Sequence, residues 1–309
     1  MKQVSIAAVL AVMAGAAGAQ PQTDYSKLEI KTTDLGHGVY LLGWQGGDSL
    51  ILVGDDGVLL VDTSVEQMGD KIKAAIAKVS SKPIKLNVNT HAHADHFGAN
   101  EAIARDGATI VSHVNLRERM AKGQHIAAFN QTVPPSPPAA LPTITYTESM
   151  TLHFDGETIR LFHVKNAHTD SDTLVHFERA NVIHASGTFG GDGSYPFFDA
   201  SSGGSLVGTI AAQEKMLSLA DANTRIQADE GDPASSAVLR ACHDALVTIR
   251  GRVQKLIDEG KSEDEAVAAK PTKDLDARWV RPGGFLTGDT FTRMAYQSLK
   301  GGANPATVR

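Results

Sequence analysis

The chain has 309 residues, 42% of them hydrophobic and 21% charged. That is ordinary globular composition, long enough for one large core or two modest domains. Its formal net charge is −6, with no block of like charges, which argues against the clustered basic surface of a nucleic-acid binder. A single cysteine, Cys242, excludes an intrachain disulfide.

Residues 1–19 carry one Lys, then an apolar run, then Ala17-Gly18-Ala19. This is the pattern of a secretory signal peptide cut before Gln20. The run is too short and too Ala-rich for a membrane span. The mature protein is therefore expected to be periplasmic or secreted, with no membrane span after cleavage.

The next segments read as strands. GVYLLGW is followed by SLILVGDDGVLLVDT, two apolar runs around a tight Asp-Asp-Gly turn, hence a hairpin. Met68, Ile72, Ile76 and Val79 share one helix face, and IKLNVNT is a strand running into HAHADH. GANEAIARDG reads as a short helix and ATIVSHV as a strand with a helix after it. VPPSPPAALP, residues 133–142, is a proline-rich loop or linker. MTLHFDGETIRLFHV is a hairpin around Asp155-Gly156, and TLVHF and ANVIHAS are further strands. GGDGSYPFFDASSGG is a Gly-rich loop. Helices are expected near 205–220, 235–259 and 285–299, with strand TRIQA after the first. In the second of these three, Cys242 lies on the apolar stripe with Leu239, Leu246, Ile249 and Val253, so it reads as a small core residue rather than a nucleophile. The alternation of strands and helices reads as two α/β halves packed in one layered domain.

THAHADHFGAN, residues 90–100, concentrates His91, His93, Asp95 and His96. Two His one residue apart at the end of a strand can converge on one ion if the backbone turns, and Ala92, Ala94 and Gly98 offer little resistance. Asp95 and His96 then serve a neighbouring position. Zinc accepts imidazole and carboxylate ligands and, in catalytic sites, keeps a position open for water. His168, in NAHTDSDTLVHF, is the candidate third ligand.

With HAHADH at 91–96, AHTDSDT at 167–173 and Asp62 closing GVLLVDT, the chain resembles the metallo-β-lactamase superfamily. The resemblance covers about residues 28–300 and implies an α/β fold, a four-layer αβ/βα sandwich. It implies that His91, His93 and His168 bind a first zinc, that Asp95 and His96 contribute to a second, and that Asp62 braces the histidine loop. Asp172 either braces the loop of His168 or is a simple turn residue. Two places depart from the family pattern. The usual bridging Asp is replaced by Gly187 in VIHASGTF, and the His of a Gly-His-Gly is replaced by Glu230 in TRIQADEGDP. Glu230 can itself be a ligand, and an oxygen-rich second site favours Mn or Fe more than usual. Otherwise Glu230 points to solvent and one zinc is held. His184 reads as structural.

Three imidazoles on one zinc would make hydroxide available at neutral pH to attack a carbonyl, with Asp95 orienting the water or shuttling the proton. The expected function is a zinc-dependent hydrolase of a small-molecule lactam, lactone, ester or thioester. Its pocket would be lined by the His loops, the 190–204 loop and the proline-rich loop, and Tyr195, Phe197 and Phe198 form either an apolar wall or core anchors. The alternative is a degenerate member that binds metal or a small ligand without turnover. A nuclease is disfavoured by charge and export.

Overall fold

The computed structural model describes residues 23–44 and 46–301, so the expected signal peptide lies outside the described residues. In chain order the strands are β1 Lys31–Asp34, β2 Val39–Gly43, β3 Ser49–Val53, β4 Val58–Val61, β5 Ile84–Val88, β6 Thr109–His113, β7 Gln124–Ile126, β8 Gln131–Val133, β9 Ile144–Tyr146, β10 Ser149–Phe154, β11 Glu157–His163, β12 Thr173–Phe177, β13 Val182–His184, β14 Arg225–Gln227 and β15 Ala234–Ser235. The helices are α1 Gly69–Ala77, α2 Ala94–Phe97, α3 Asn100–Arg105, α4 Val114–Lys122, α5 Leu206–Leu219, α6 Ser236–Asp258, α7 Glu263–Ala268, α8 Asp276–Trp279 and α9 Gly288–Gly301.

Side-chain alternation on the strands decides the layers. Leu50 and Leu52 of β3, Leu59 and Val61 of β4, Val88 and Val111 face Ile159, Leu161, Val175, Phe177 and Val182 in a core between two sheets. The residues between them, Ile51, Val58 and Leu60, turn the other way onto Ile72 and Ile76 of α1 and Ile103 of α3. On the second sheet Leu174, Ile183 and Ile226 turn outward onto Leu206, Ile210, Leu239, Leu246 and Phe291 of α5, α6 and α9. Each fully buried Leu or Ile contributes about 1.5–3 kcal/mol relative to exposure, so a slip of one residue would expose a whole face. The result is helix, sheet, sheet, helix: the expected αβ/βα sandwich.

The first sheet has the order β1-β2-β3-β4-β5-β6-β9 and the second β10-β11-β12-β13-β14-β15, with β7-β8 a separate ribbon. Antiparallel pairing gives way to parallel pairing from β4 to β5, and again from β13 to β14. Both hairpins read from the sequence form. In the second, Asp155 and Gly156 both take left-handed backbone, φ 50° and 71°, as a tight two-residue hairpin turn requires. Parallel neighbours end at the same edge of a sheet. The carboxyl ends of β4, β5, β13 and β14 therefore deliver Asp62, His91–His96, Gly187 and the 228–231 segment to one rim.

The proline-rich segment packs onto the histidine segment and α4. Ala140 is buried with Ala92, Phe97, Leu116 and Met120, and its carbonyl accepts a 3.0 Å hydrogen bond from Asn100 Nδ2. Prolines remove donors but leave carbonyls free to accept, which suits a strap packed over polar side chains. The short α7 and α8 were not anticipated, although Ser262 and Glu265 form a capping box at the start of α7.

One close approach fixes the loop of His168 to the scaffold. Gly208, in the first turn of α5, sits against the Asn166 carbonyl, and a Cβ there would fall well inside contact distance of it. Gly208→Ala is expected to lower stability by about 2 kcal/mol or more, read as a fall in the urea midpoint at unchanged slope. An unchanged midpoint would show that this approach is not a constraint.

Candidate metal centre

β5 leads directly into the histidine segment. A buried amide network holds the turn: Asn100 Nδ2 donates to Asn89 Oδ1 at 2.8 Å, Asn89 Nδ2 to the His96 carbonyl at 3.0 Å, and Thr63 Oγ1 to Asn100 Oδ1 at 3.0 Å. Asp62 closes β4 in left-handed backbone, φ 64°. That conformation costs a non-glycine residue about 1–2 kcal/mol. It aims the carboxylate at the turn, where it accepts from Thr90 N at 2.8 Å, Thr90 Oγ1 at 2.7 Å and His96 Nδ1 at 2.8 Å.

The hydrogen-bond partners fix the imidazole tautomers. Thr90 gives its hydroxyl proton to Asp62, so His91 Nδ1, 3.0 Å from Thr90 Oγ1, is the donor there. His91 Nε2 is then unprotonated, and this buried atom has no hydrogen-bond partner. His168 Nδ1 donates to the Phe197 carbonyl at 2.7 Å, leaving Nε2 unprotonated. His93 Nε2 donates to Asp199 Oδ2 at 3.1 Å, leaving Nδ1 unprotonated. His93 Nδ1 and His168 Nε2 face each other at 2.9 Å. Two lone pairs at that distance repel unless a cation or a proton lies between them. One ligand nitrogen from each of His91, His93 and His168 lies within 4.8 Å of the others. Three imidazoles so placed are a donor set suited to a metal ion, with the other nitrogen of each ring held by the protein. Burial pushes His91 well below the ordinary imidazole value and His168 down to about 3, so both stay neutral, as metal ligation needs.

A second group joins His91, His96 and Asp229. His96 Nδ1 points at Asp62, so Nε2 faces Asp95 Oδ2 at 3.6 Å and Asp229 Oδ2 at 3.9 Å. Burial opposes the charged ring, but the carboxylates of Asp95, Asp62 and Asp229 outweigh it and raise His96 to about 10. Such a pocket draws positive charge, whether a proton or a metal ion. Burial lifts Asp229 to about 6 against the pull of His96. Its Oδ1 accepts from Gly187 N at 2.8 Å.

The carboxylate brought to this group is thus that of Asp229, one residue before the position read from sequence. Glu230 instead lies half exposed beside Arg281, at 3.8 Å. The shift has a cause. Asp48, buried between β2 and β3, accepts from Gly231 N at 2.9 Å, and its own N–H donates to the Asp229 carbonyl at 2.7 Å, which turns Asp229 inward. At Gly187, φ 72°, any Cβ would run into the His168 ring. A side chain there and the present place of His168 exclude each other.

Asp172 is no simple turn residue. It is fully buried and accepts from Thr169 N at 2.8 Å and Thr169 Oγ1 at 2.7 Å, directly after His168. Arg119 of α4 clamps the same loop through Asp170 at 2.7 Å. His184 is buried at the end of β13, with Nδ1 accepting from Ser186 N. Tyr195 stacks on Phe291 and Phe198 packs edge-on against it, so both are core and only Phe197 faces His168. The Cys242 thiol is fully buried and pushed up to about 12, which removes it as a nucleophile.

Two residues escaped the sequence reading. Asp229 stood beside the position chosen from the flanks. Asp199 lay in the loop quoted as SYPFFDASS, with no spacing to tie it to His93, 106 residues earlier. The Asp opening Asp-Ala-Ser-Ser signals a cap, and Asp199 does accept from Ser201 N at 3.0 Å, but nothing local reveals its second oxygen.

A family model described as the metallo-β-lactamase superfamily matches residues 42–225. Among solved structures, a metallo-β-lactamase from Pontibacter korlensis aligns at TM-score 0.58 and 16% identity over 71% of this chain and 99% of its own. The stereoselective inverting sec-alkylsulfatase Pisa1 from Pseudomonas sp. aligns at TM-score 0.64 and 17% identity over 91% of this chain and 52% of its own. The metallo-β-lactamase DIM-1, in a structure exposed to ceftazidime, aligns at TM-score 0.55 and 13% identity over 71% and 97%. At these identities the likeness is one of fold.

Outer hydrogen bonds of this kind are worth about 10–100-fold in metal affinity. Asp199→Asn and Asp62→Asn are each expected to weaken zinc binding within that range in a chelator-competition titration, with the protein still folded by circular dichroism. Parent affinity in both variants would show that the tautomers are not set by these carboxylates.

Proposed function

The chain belongs to the metallo-β-lactamase superfamily, whose members are mostly metal-dependent hydrolases, and on that premise we propose that it is an exported zinc hydrolase acting on a carbonyl of a small molecule: a lactam, lactone, ester or thioester. The observation that carries the reading is the convergence of one ring nitrogen from each of three histidines, two of them 2.9 Å apart, each ring having its opposite nitrogen on a protein oxygen. His91, His93 and His168 would hold the ion. Bound there, zinc supplies a Lewis acid and makes water a nucleophile at neutral pH.

The protein's own groups do the rest. Asp95 stands at the rim, its side chain 45% exposed and 3.6 Å from His96 Nε2. From there its carboxylate can accept the proton of an entering nucleophile and return it to a leaving group. Asp172 and Arg119 hold the loop of His168, and Asp62 holds the turn carrying His91 and His96, so the reacting groups keep their places. His96, Asp95 and Asp229 offer one nitrogen and two carboxylates for a second ion, and Glu230 stands behind them. An oxygen-rich set of this kind suits Mn or Fe as well as Zn.

Metal content checks the second position. Protein purified without chelators is expected to hold two ions per chain, Asp229→Ala one, and Glu230→Ala close to two. Loss of an ion in Glu230→Ala alone would return the ligand role to Glu230. For the reaction, zinc-loaded protein is to be offered nitrocefin, a γ-lactone, p-nitrophenyl acetate and an acyl thioester. At least one is expected to be hydrolysed, with loss on chelation, recovery on zinc, and a fall of at least about 100-fold in kcat/KM for His168→Ala. A fully metallated protein that turns over none of them would favour a binding protein without turnover.

A further inference from the structure

Phe129, Phe197 and Phe285 come from three separate loops and meet beside the metal centre. Phe129 lies in the helical turn between β7 and β8, Phe197 in the loop after β13, and Phe285 in the segment between α8 and α9. Their ring centroids are 5.4, 5.5 and 5.7 Å apart, at tilts of 45–69°. The Phe197 ring also stands edge-on to His168 at 5.7 Å, on the residue whose carbonyl holds His168 Nδ1. The aromatic face is therefore continuous with the histidine cluster.

Exposure sets these rings apart from ordinary core. Tyr195 and Phe198, in the same loop as Phe197, are 1% and 2% exposed and fully packed. Phe129 and Phe285 are 36% and 37% exposed, and they are two of the four large apolar residues exposed among the described residues. Polar groups also border the centre: Asp95, and the half-exposed Glu230–Arg281 pair at 3.8 Å. A molecule reaching the histidines thus meets both charge and bare aromatic surface. Covering such surface is favourable in proportion to its area.

We infer that these three rings form an apolar subsite for the hydrocarbon arm of the substrate, which is accordingly an acyl compound bearing an alkyl or aryl chain. The inference rests on the metal-centre reading and narrows its substrate class. The occupant is a substrate arm, not a second protein, because the face abuts a side chain of the centre itself.

Straight-chain alkyl hydroxamates from two to eight carbons, whose head binds zinc, are the probe, titrated calorimetrically into zinc-loaded protein of measured metal content. Affinity is expected to rise about threefold per methylene, and to rise much less steeply in Phe129→Ala/Phe285→Ala. Both positions are partly exposed, so the variant is expected to fold with parent metal content. The straight-chain alcohols, titrated into metal-free protein, carry the same test without the metal. If hydroxamates fail for lack of metal yet the alcohols keep a chain-length dependence that the double variant loses, the metal reading falls and the aromatic subsite stands. Equal slopes in parent and variant, or no dependence on chain length, would overturn the subsite. So would a parent dimer that the double variant converts to monomer by sedimentation, since the face would then be an interface.

Discussion

A buried imidazole can meet a cation with one nitrogen only if the other nitrogen keeps the proton and has somewhere to put it. The geometry of this protein follows from that constraint. Thr90, Asp199 and the Phe197 carbonyl take the N–H of His91, His93 and His168 respectively. Those partners come from the end of β5 and from the long loop after β13, so the three rings are aligned only when both halves of the sandwich are in place. Asp62 stands behind the first partner, because it accepts the Thr90 hydroxyl proton and so makes Thr90 an acceptor. The same oxygen accepts from His96 and orients the second group. One carboxylate in strained backbone therefore sets the protonation of two histidines, and the backbone there is held by Asp62 N on the Val88 carbonyl and Thr63 N on the His96 carbonyl.

The second group shows how position can be preserved while residues change. At the bridge position a glycine leaves room for the His168 ring, and its N–H steadies the carboxylate of Asp229. Asp48 reaches across from the β2–β3 loop to hold the Asp229 segment by its backbone. A loop of glycine and acidic residues takes one defined course because buried Asp48, in the other half of the fold, accepts the Gly231 N–H and donates to the Asp229 carbonyl.

The sandwich was legible from the sequence because period-two runs such as SLILV and VLLV, and the 3.6-residue face of α6, are local signals. His91, His93 and His96 were legible for the same reason, since one short segment carries them, and His168 followed from its own motif. What the sequence hid is held by tertiary contact. Asp229 and Glu230 are adjacent acids, and only the pull of Asp48 decides which faces inward. Asp199 reaches His93 across the fold, and no spacing encodes that distance. The proline-rich segment reads as a loop by composition, yet its Ala140 carbonyl is fastened to Asn100. Tyr195, Phe197 and Phe198 look equivalent in sequence, but loop geometry buries two and leaves Phe197 facing the histidines.

Three histidines held as tautomers whose free nitrogens converge leave a direct spectroscopic signature. The measurement that tests this arrangement most directly is long-range nitrogen–proton NMR of the histidine rings, with and without one equivalent of zinc. Protonated Nδ1 on His91 and His168 and protonated Nε2 on His93 are expected, with zinc shifting only the opposite nitrogen of each ring. The reverse tautomer on any of the three in the zinc-loaded protein, or rings that do not respond to zinc, would contradict it.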